Sequence, residues 1–437
     1  ARTLARHDHA ALEDLVAKLV LDHIGDKECE SLPANPKSPG RLSVGVATPW
    51  APQRTGVADF STAVFTELAR HVDLTVYTTA SAEVRSATEE DVKIEYRNVD
   101  EILSDPVRVA GWHDSFISVV GNSHYHVPYV ELLSRIDAIA IAHDTRMVEY
   151  YMALRGKGGV QQVMLTSADP SAPSTITPPL DDQIDDMRLL QNAGFWEVAR
   201  RAKRLVLHSP SAAPRIRAET GVEVHVLPFA NQRVPDAAVI STSDREQARI
   251  RLGLDKHPAG TINLASFGYV DPRTKMTDVV VEAAAWLTQW GYPVALHLVG
   301  HASDAQRDEL IQRAHAAGVA HFQITGFQGE AEFRDWLLAV DAGVQLRISP
   351  VLGVSGPLSD LAAFGTPAVA SRGLCEDVQS PPYIRALPDA VSPVTGAEAI
   401  ENALIEPIPE AELEMLRQDY LRRMAPGAYA SELMQIL

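Results

Sequence analysis

The amino-acid sequence predicts an α/β protein built on two doubly wound parallel sheets. Three observations predict it. Short apolar, β-rich runs alternate with helical stretches, the pattern of parallel strands joined by crossover helices. That alternation breaks once, in a polar stretch near residues 230–245, and then restarts. At 437 residues the chain is also too long for one ordinary hydrophobic core.

In chain order, residues 9–24 pattern as an amphipathic helix with Leu12, Leu15, Val16, Leu19 and Val20 on one face. Its polar face is mixed rather than basic, which points to docking on the body or on a neighbouring chain rather than on a membrane. A proline-bearing linker, GDKECESLPANPKSPGR, leads to residue 42. The first set of strands is then RLSVGVA, LTVYTT, FISVVG, IAIAHD, RLVLHS and VEVHVLP. Residues 157–187 interrupt the rhythm with Gly, Pro, Ser, Thr and the acidic DDQIDD, and read either as a mobile lid or as a solvated insertion. After FANQRVPDAAVISTSDRE the second set follows: TINLASFG, VALHLVG, FQITGF, AGVQLR and PAVAS. The expected divisions are an N-terminal helix and linker (1–41), a first Rossmann-like domain (42–235), a second (246–405) and a C-terminal helical segment (406–437) broken at Pro426 and Gly427. Sheets of this kind bind ligands outside the carboxyl ends of their strands, so two facing halves share a cleft.

Two stretches concentrate the chemistry. In TPWAPQRTGVADFSTAVFTELARH (48–71), Pro49 and Pro52 take the chain out of the first strand. Thr55 is placed as an N-cap, and Val57, Phe60, Val64 and Leu68 recur at helical spacing up to Arg70 and His71. A strand, a glycine-bearing loop and a helix N-terminus make either a plain βα connection or an anion pocket. In AGVQLRISPVLGVSGPLSDLAAFGTPAVAS (342–371), a strand ends at Arg347 and a Gly/Ser loop follows. Pro357 sits where a helix begins, and Gly365 and Pro367 stop it. Ser355 and Gly356 would leave backbone N–H groups pointing out of that helix end, and Asp360 lies one turn in.

Composition narrows the function. The chain is 46% hydrophobic and 22% charged, the balance of a globular protein. A net charge of −18, from 39 basic and 57 acidic residues, argues against general binding to nucleic acid or anionic lipid and leaves small-molecule chemistry open. No apolar run approaches the roughly 18 residues of a membrane span, and residues 1–24 lack a signal-peptide pattern. Cys29 and Cys375 form no metal-ligand pair, and a cytoplasmic location is expected. The first residue is Ala rather than Met, so a processed chain or a piece of a longer one is expected.

Taken together, TGVADFS, GNSHYH followed by IAHD, FGYVDPRTK and LRISPVLGVSGPLSDLAAFGTP resemble, in order, four motifs of the GT-B glycosyltransferases of the retaining family 4 type. The resemblance spans residues 42–437 and implies a GT-B architecture and transfer of a sugar from a nucleotide-sugar donor to a hydroxyl, with retention. The acceptor would be a glycan, a glycolipid or a small molecule; peripheral membrane contact has no support of its own in the sequence. Carried over to this chain, the resemblance places Lys275, with Arg273, on the donor diphosphate and Arg347 at the strand-end arginine. Gly268 belongs to the lysine-bearing loop. Ser355 and Gly356 would cradle phosphate, Thr55 and Gly56 would approach it from the opposite lobe, and His143 would lie near the transferred sugar. No Asp-x-Asp pair occurs, which agrees with enzymes of this type that need no obligatory metal or other cofactor.

The chain departs from the family where two glutamates are usual, eight residues apart. Position 352 is Leu, and the second acid is Asp360. Asp360 would hold the ribose hydroxyls, and backbone N–H groups near Gly353 and Val354 would have to hold the sugar. The glycine usual after the lysine is Met276. Simpler readings stand beside these roles: His143 as a satisfied structural histidine, Lys275 as a solvated lysine, Asp360 as a carboxylate on a helix dipole. His124 and His126 read as surface residues or substrate contacts. Two other functions fit the same architecture: a catalytically silent module that binds a partner or glycan, and a nucleotide-sugar epimerase.

Overall fold

The computed structural model describes residues 40–53, 55–80, 92–156, 160, 194–235, 239–272, 274–348 and 353–437. The stretch 9–24, the linker with Cys29, nearly all of 157–187, Arg273 and Leu352 lie outside the described residues.

Seven parallel strands form the first sheet: β1 (Ser43–Ala47), β2 (Asp73–Thr78), β3 (Ile94–Asn98), β4 (Ser115–Val120), β5 (Ile139–Ala142), β6 (Arg204–Leu207) and β7 (Val224–Val226). Their order is β3-β2-β1-β4-β5-β6-β7. The second sheet has six, β8 (Ile262–Phe267), β9 (Val294–Val299), β10 (His321–Ile324), β11 (Ala342–Gln345), β12 (Ala368–Ser371) and β13 (Ile384–Leu387), in the order β10-β9-β8-β11-β12-β13. Each order reverses once, between β1 and β4 and between β8 and β11, and such a reversal leaves a crevice at the carboxyl ends of the two strands. Alternate residues of each strand enter different buried clusters. Val44 and Val46 join Phe60 and Val64 in one, whereas Ala47 joins Phe116 and Tyr129 in another. Both faces of the sheet are therefore covered, which is why its strands read as continuous apolar runs.

Seven helices shape the site: α1 (Gly56–Ala69), α2 (Thr242–Leu252), α3 (Thr277–Gln289), α4 (Glu330–Ala339), α5 (Gly356–Ala363), α6 (Glu410–Arg423) and α7 (Pro426–Leu433). The cap expected at Thr55 is in place, its side chain accepting from the Ala58 amide, and Ser355 caps α5 by accepting from the Leu358 amide. Helix α2 starts at Thr242, inside the polar stretch at which the alternation breaks, because Ser241 and Asp244 form a reciprocal capping box there. The last segment breaks between Arg423 and Pro426, and Pro426 opens α7, where a missing N–H costs nothing.

The chain passes between the two sheets twice. Around Leu227–Ile240 it runs from β7 to α2, and around Met424 and Ala425 it runs back. The Asn231 amide donates to the Met424 carbonyl at 2.8 Å, tying the two crossings together. Helix α6 packs against the second sheet through Tyr420 and Met424, while Tyr429, Ala430 and Leu433 of α7 join Phe60 and Val64 of α1. No helix among the described residues is long and apolar enough to cross a membrane.

Candidate active site

The reversal point of the second sheet carries two cations. After β8 the chain turns at Gly268, whose φ of +98° favours glycine. A second reason is spatial: a Cβ there would lie 2.6 Å from Lys275 Nζ and 3.7 Å from Pro357 Cγ. The ammonium thus sits between the glycine turn and the first turn of α5. The loop is held by the Lys275 amide on the Asp271 carbonyl and by the Ile348 amide on the Thr274 carbonyl, both 3.0 Å, so it is fastened to the end of β11. No hydrogen-bond acceptor for the ammonium occurs among the described residues. Burial, and then the neighbouring Arg347 guanidinium, bring the Lys275 pKa down to about 8.

Arg347 follows β11. Its amide donates to Ser371 Oγ at 2.9 Å, and its Nη1 donates to the Gly353 carbonyl at the same distance. Burial lowers its pKa, opposed by the carboxylates of Asp144 and Asp377. Gly353, at φ +148°, forms an isolated antiparallel bridge with Asp144, the residue after His143 on the other sheet. The two carboxyl-end edges therefore meet at this point. Asp144 Oδ2 accepts from the Asn122 amide, and burial raises its pKa. A second tie between the edges is Asp377 Oδ1, which accepts from Ser209 Oγ and Ser211 Oγ, both at 2.8 Å.

Val354 packs half-buried on the core beside α5, and the Ser355 side chain is used in capping its own helix. Among the described residues nothing lies within 4 Å of a Cβ built on Gly356 at the N-terminus of α5. Helix α1 begins after Thr55 at Gly56, where a Cβ would likewise meet nothing within 4 Å among the described residues. Asp59, one turn in, feels both Arg233 and Glu330, so this end of α1 lies near the beginning of α4.

His143 extends β5, its amide bonding to the Val120 carbonyl. Its ring stands edge-on to Phe60 at 4.5 Å and lies 4.8 Å from His208. The Nε2 atoms of both rings are enclosed without a partner. Burial drives the pKa of His143 well below the usual value and that of His208 to about 4. His126 is a correction to the sequence reading: it is 2% exposed, its Nε2 lies 2.7 Å from where a Cβ on Gly121 would stand, and only His124 is at the surface.

Asp360 is the least expected arrangement. Its Oδ2 accepts from Arg233 Nη1, a residue of the polar stretch where the strand alternation breaks, to which the sequence reading gave no role. Arg233 also donates to Glu330 at the start of α4 through Nε and Nη2, each at 2.9 Å, and lies 4.6 Å over the Phe333 ring. Burial pushes Asp360 up to about 7 even with that arginine beside it. Among the described residues no group of three His, Cys, Asp or Glu side chains is placed to hold a metal. The residues missed from sequence, Arg233, Glu330, Asp144, Asp377 and His208, share no local motif; the strand-end positions of Asp144 and His208 were the one available signal.

No protein-family model matches the sequence, and no curated protein is similar to it. Solved structures are. HepE of Anabaena, in complex with UDP and glucose, superimposes with a TM-score of 0.58 at 14% identity, over 90% of this chain and 99% of that one. A glycosyltransferase from Rickettsia africae gives 0.59 at 11% identity, over 91% and 98%. Sucrose-phosphate synthase of Thermosynechococcus elongatus gives 0.57 at 14% identity, again over 91% and 98%. With two parallel sheets of seven and six strands whose carboxyl edges face each other, this chain has the GT-B fold of those glycosyltransferases.

Proposed function

We propose that the protein is a nucleotide-sugar-dependent glycosyltransferase that moves a sugar to an acceptor hydroxyl with retention. The observation that carries this reading is the pair Lys275 and Arg347 at the second sheet's reversal point, beside the N-terminus of α5. A diphosphate leaving group gains negative charge as the glycosidic bond breaks. Fixed cations and backbone N–H groups aimed at that charge are the largest source of catalysis in such a step. In this reading Lys275, Arg273 and Arg347 hold the diphosphate, together with the amides of Ser355 and Gly356. Thr55 and Gly56 close on it from the other lobe. These groups take the part a metal ion would otherwise play.

Residues 42–235 form the acceptor lobe, 246–405 the donor lobe, and 406–437 cross back to the first. His143 borders the sugar, the amides of Gly353 and Val354 hold it, and Asp360 receives the ribose on Oδ1, which has no partner among the described residues. The bond from the anomeric carbon to the phosphate oxygen breaks, the acceptor oxygen bonds to the same face, and the acceptor proton passes to the released phosphate. HepE was solved with UDP-glucose, which makes a uridine donor the first to test. The acceptor is a glycan, a glycolipid or a small molecule. A cytoplasmic location belongs to the same proposal.

A thermal-shift screen of nucleotide sugars tests the reading. A donor at about 100 times its dissociation constant should stabilise the fold by about 2.7 kcal/mol. A flat response across uridine, guanosine and adenosine donors would remove it. The pairing of Asp360 with Arg233, and Leu352 in place of an acid, favour one rival: a silent module that binds but does not transfer. Sugar release or transfer from a donor that stabilises the protein excludes that rival.

A further inference from the structure

Arg233 belongs to neither sheet, yet it is fixed from three sides. Glu330 takes its Nε and Nη2 at 2.9 Å, Phe333 lies under it at 4.6 Å, and its Nη1 reaches Asp360 Oδ2. The Arg233 side chain is 15% exposed and that of Asp360 is 6%. Such a pair is short, desolvated and directional, unlike an exposed ion pair. Its neighbour Asn231 is fastened as well, accepting from Ser359 Oγ next to Asp360. We propose that Arg233 is a positioning residue: by holding Oδ2 it keeps Asp360 ionised and leaves Oδ1 as the oxygen that receives a nucleotide ribose. This rests on the donor reading above.

The electrostatics of the surroundings give the idea its sign. Burial favours the neutral acid of Asp360, Glu330 adds to that, and Arg233 and Arg334 oppose it. Asp59 of α1 faces Arg233 and Glu330, and Tyr420 of α6 faces Asp360. A protonated Asp360 would accept ribose hydroxyls without the help of a charge, and such bonds are about half as strong. Removing Arg233 should therefore raise the pH at which binding is lost, and removing Glu330 should lower it.

The experiment is calorimetric titration with UDP, GDP and ADP from pH 6 to 9, continued with whichever binds most tightly. Ligand protonation is common to all variants and cancels in their comparison. The parent should lose affinity as pH falls through about 7. Arg233→Met should move that limb up by about 1–3 pH units. Glu330→Gln should move it down, and Arg233→Lys should restore the parent profile. An unmoved limb in Arg233→Met, or a shift in the same direction for Arg233→Met and Glu330→Gln, overturns the proposal. Should Arg233→Met fail to fold, Arg233→Lys and Glu330→Gln decide: an unmoved Glu330→Gln limb overturns it. Asp360→Asn separates the two levels, because it should weaken binding by about 10-fold or more and abolish the limb. Tight binding by Asp360→Asn defeats the ribose assignment itself, and no binding of any diphosphate at millimolar concentration defeats the donor reading.

Discussion

The two sheets present their carboxyl edges to each other, and burial acts on those edges in opposite senses. Beyond β8 and β11 it surrounds Lys275 and Arg347, cations whose burial outweighs the pull of the nearby carboxylates. Beyond β5 and β6 it surrounds His143 and His208, which answer by giving up their protons and packing edge-on and tilted against Phe60. The difference lies in the intrinsic basicity of the side chain. A lysine starts near 10.5 and stays charged at neutral pH after a drop to about 8, whereas a histidine starts at 6.5 and becomes neutral. The same desolvation thus makes one edge a charged anion site and the other an uncharged, aromatic wall.

The largest expected effect comes from the charged edge. Lys275→Ala should lower turnover with a bound donor by about 10²–10³-fold, roughly 3–4 kcal/mol of transition-state stabilisation. Its melting temperature should hold or rise, since a desolvated cation is removed. In the parent, activity should fall as pH rises past about 8, because Lys275 then loses its proton. Full turnover in Lys275→Ala would end its assigned role.

The neutral edge is sharpened by acid. His208 titrates at about 4 in the fold against 6.5 unfolded, so the unfolded chain binds the extra proton between those values. The stabilisation is complete above pH 6.5 and is lost as pH falls towards 4. At pH 5 the loss is about 2 kcal/mol. His208→Leu should flatten that part of the melting-temperature profile, and an unchanged acid slope would mean that His208 does not drive it.

Between the edges, Asp377 holds Ser209 and Ser211 across the cleft. Asp377→Ala should cost about 1–2 kcal/mol in urea unfolding, because two buried hydroxyls lose their acceptor while a buried carboxylate is relieved. An unchanged unfolding midpoint would leave Asp377 without a fastening role. The smallest effect concerns the lysine loop. Met276 sits at φ +49°, a left-handed position that glycine occupies without strain. Met276→Gly should shift stability by no more than about 1 kcal/mol, strain relief offsetting lost side-chain contact. Gly268→Ala, which drives a methyl into Lys275 Nζ, should be destabilising instead. Equal melting temperatures for the two variants would argue against the loop geometry.

Most strands legible from sequence are buried along their length, and the edge strands β7 and β10 were legible as well. The edge strands β3 and β13 were not, since no residue of β3 is fully buried and β13 buries only its two end residues, Ile384 and Leu387. Arg347 could be singled out because it ends a strand next to a Gly/Ser loop, whereas Lys275 was singled out by the family resemblance of FGYVDPRTK. His126 could not be placed, because its burial comes from the glycine contact at Gly121 rather than from its neighbours in sequence.

The sequence by itself determined most strands of the two parallel sets, the cap at Thr55, and the place of Arg347 at a strand end. Each of these follows from periodicity and backbone preference within a few residues. Only the tertiary structure decided that Arg233 meets Asp360, 127 residues later, that Asp377 meets Ser209, and that His143 and His208 lie together. Those pairings join segments with no local signal in common. They form because a buried charge or donor must find a partner wherever the fold brings one within reach.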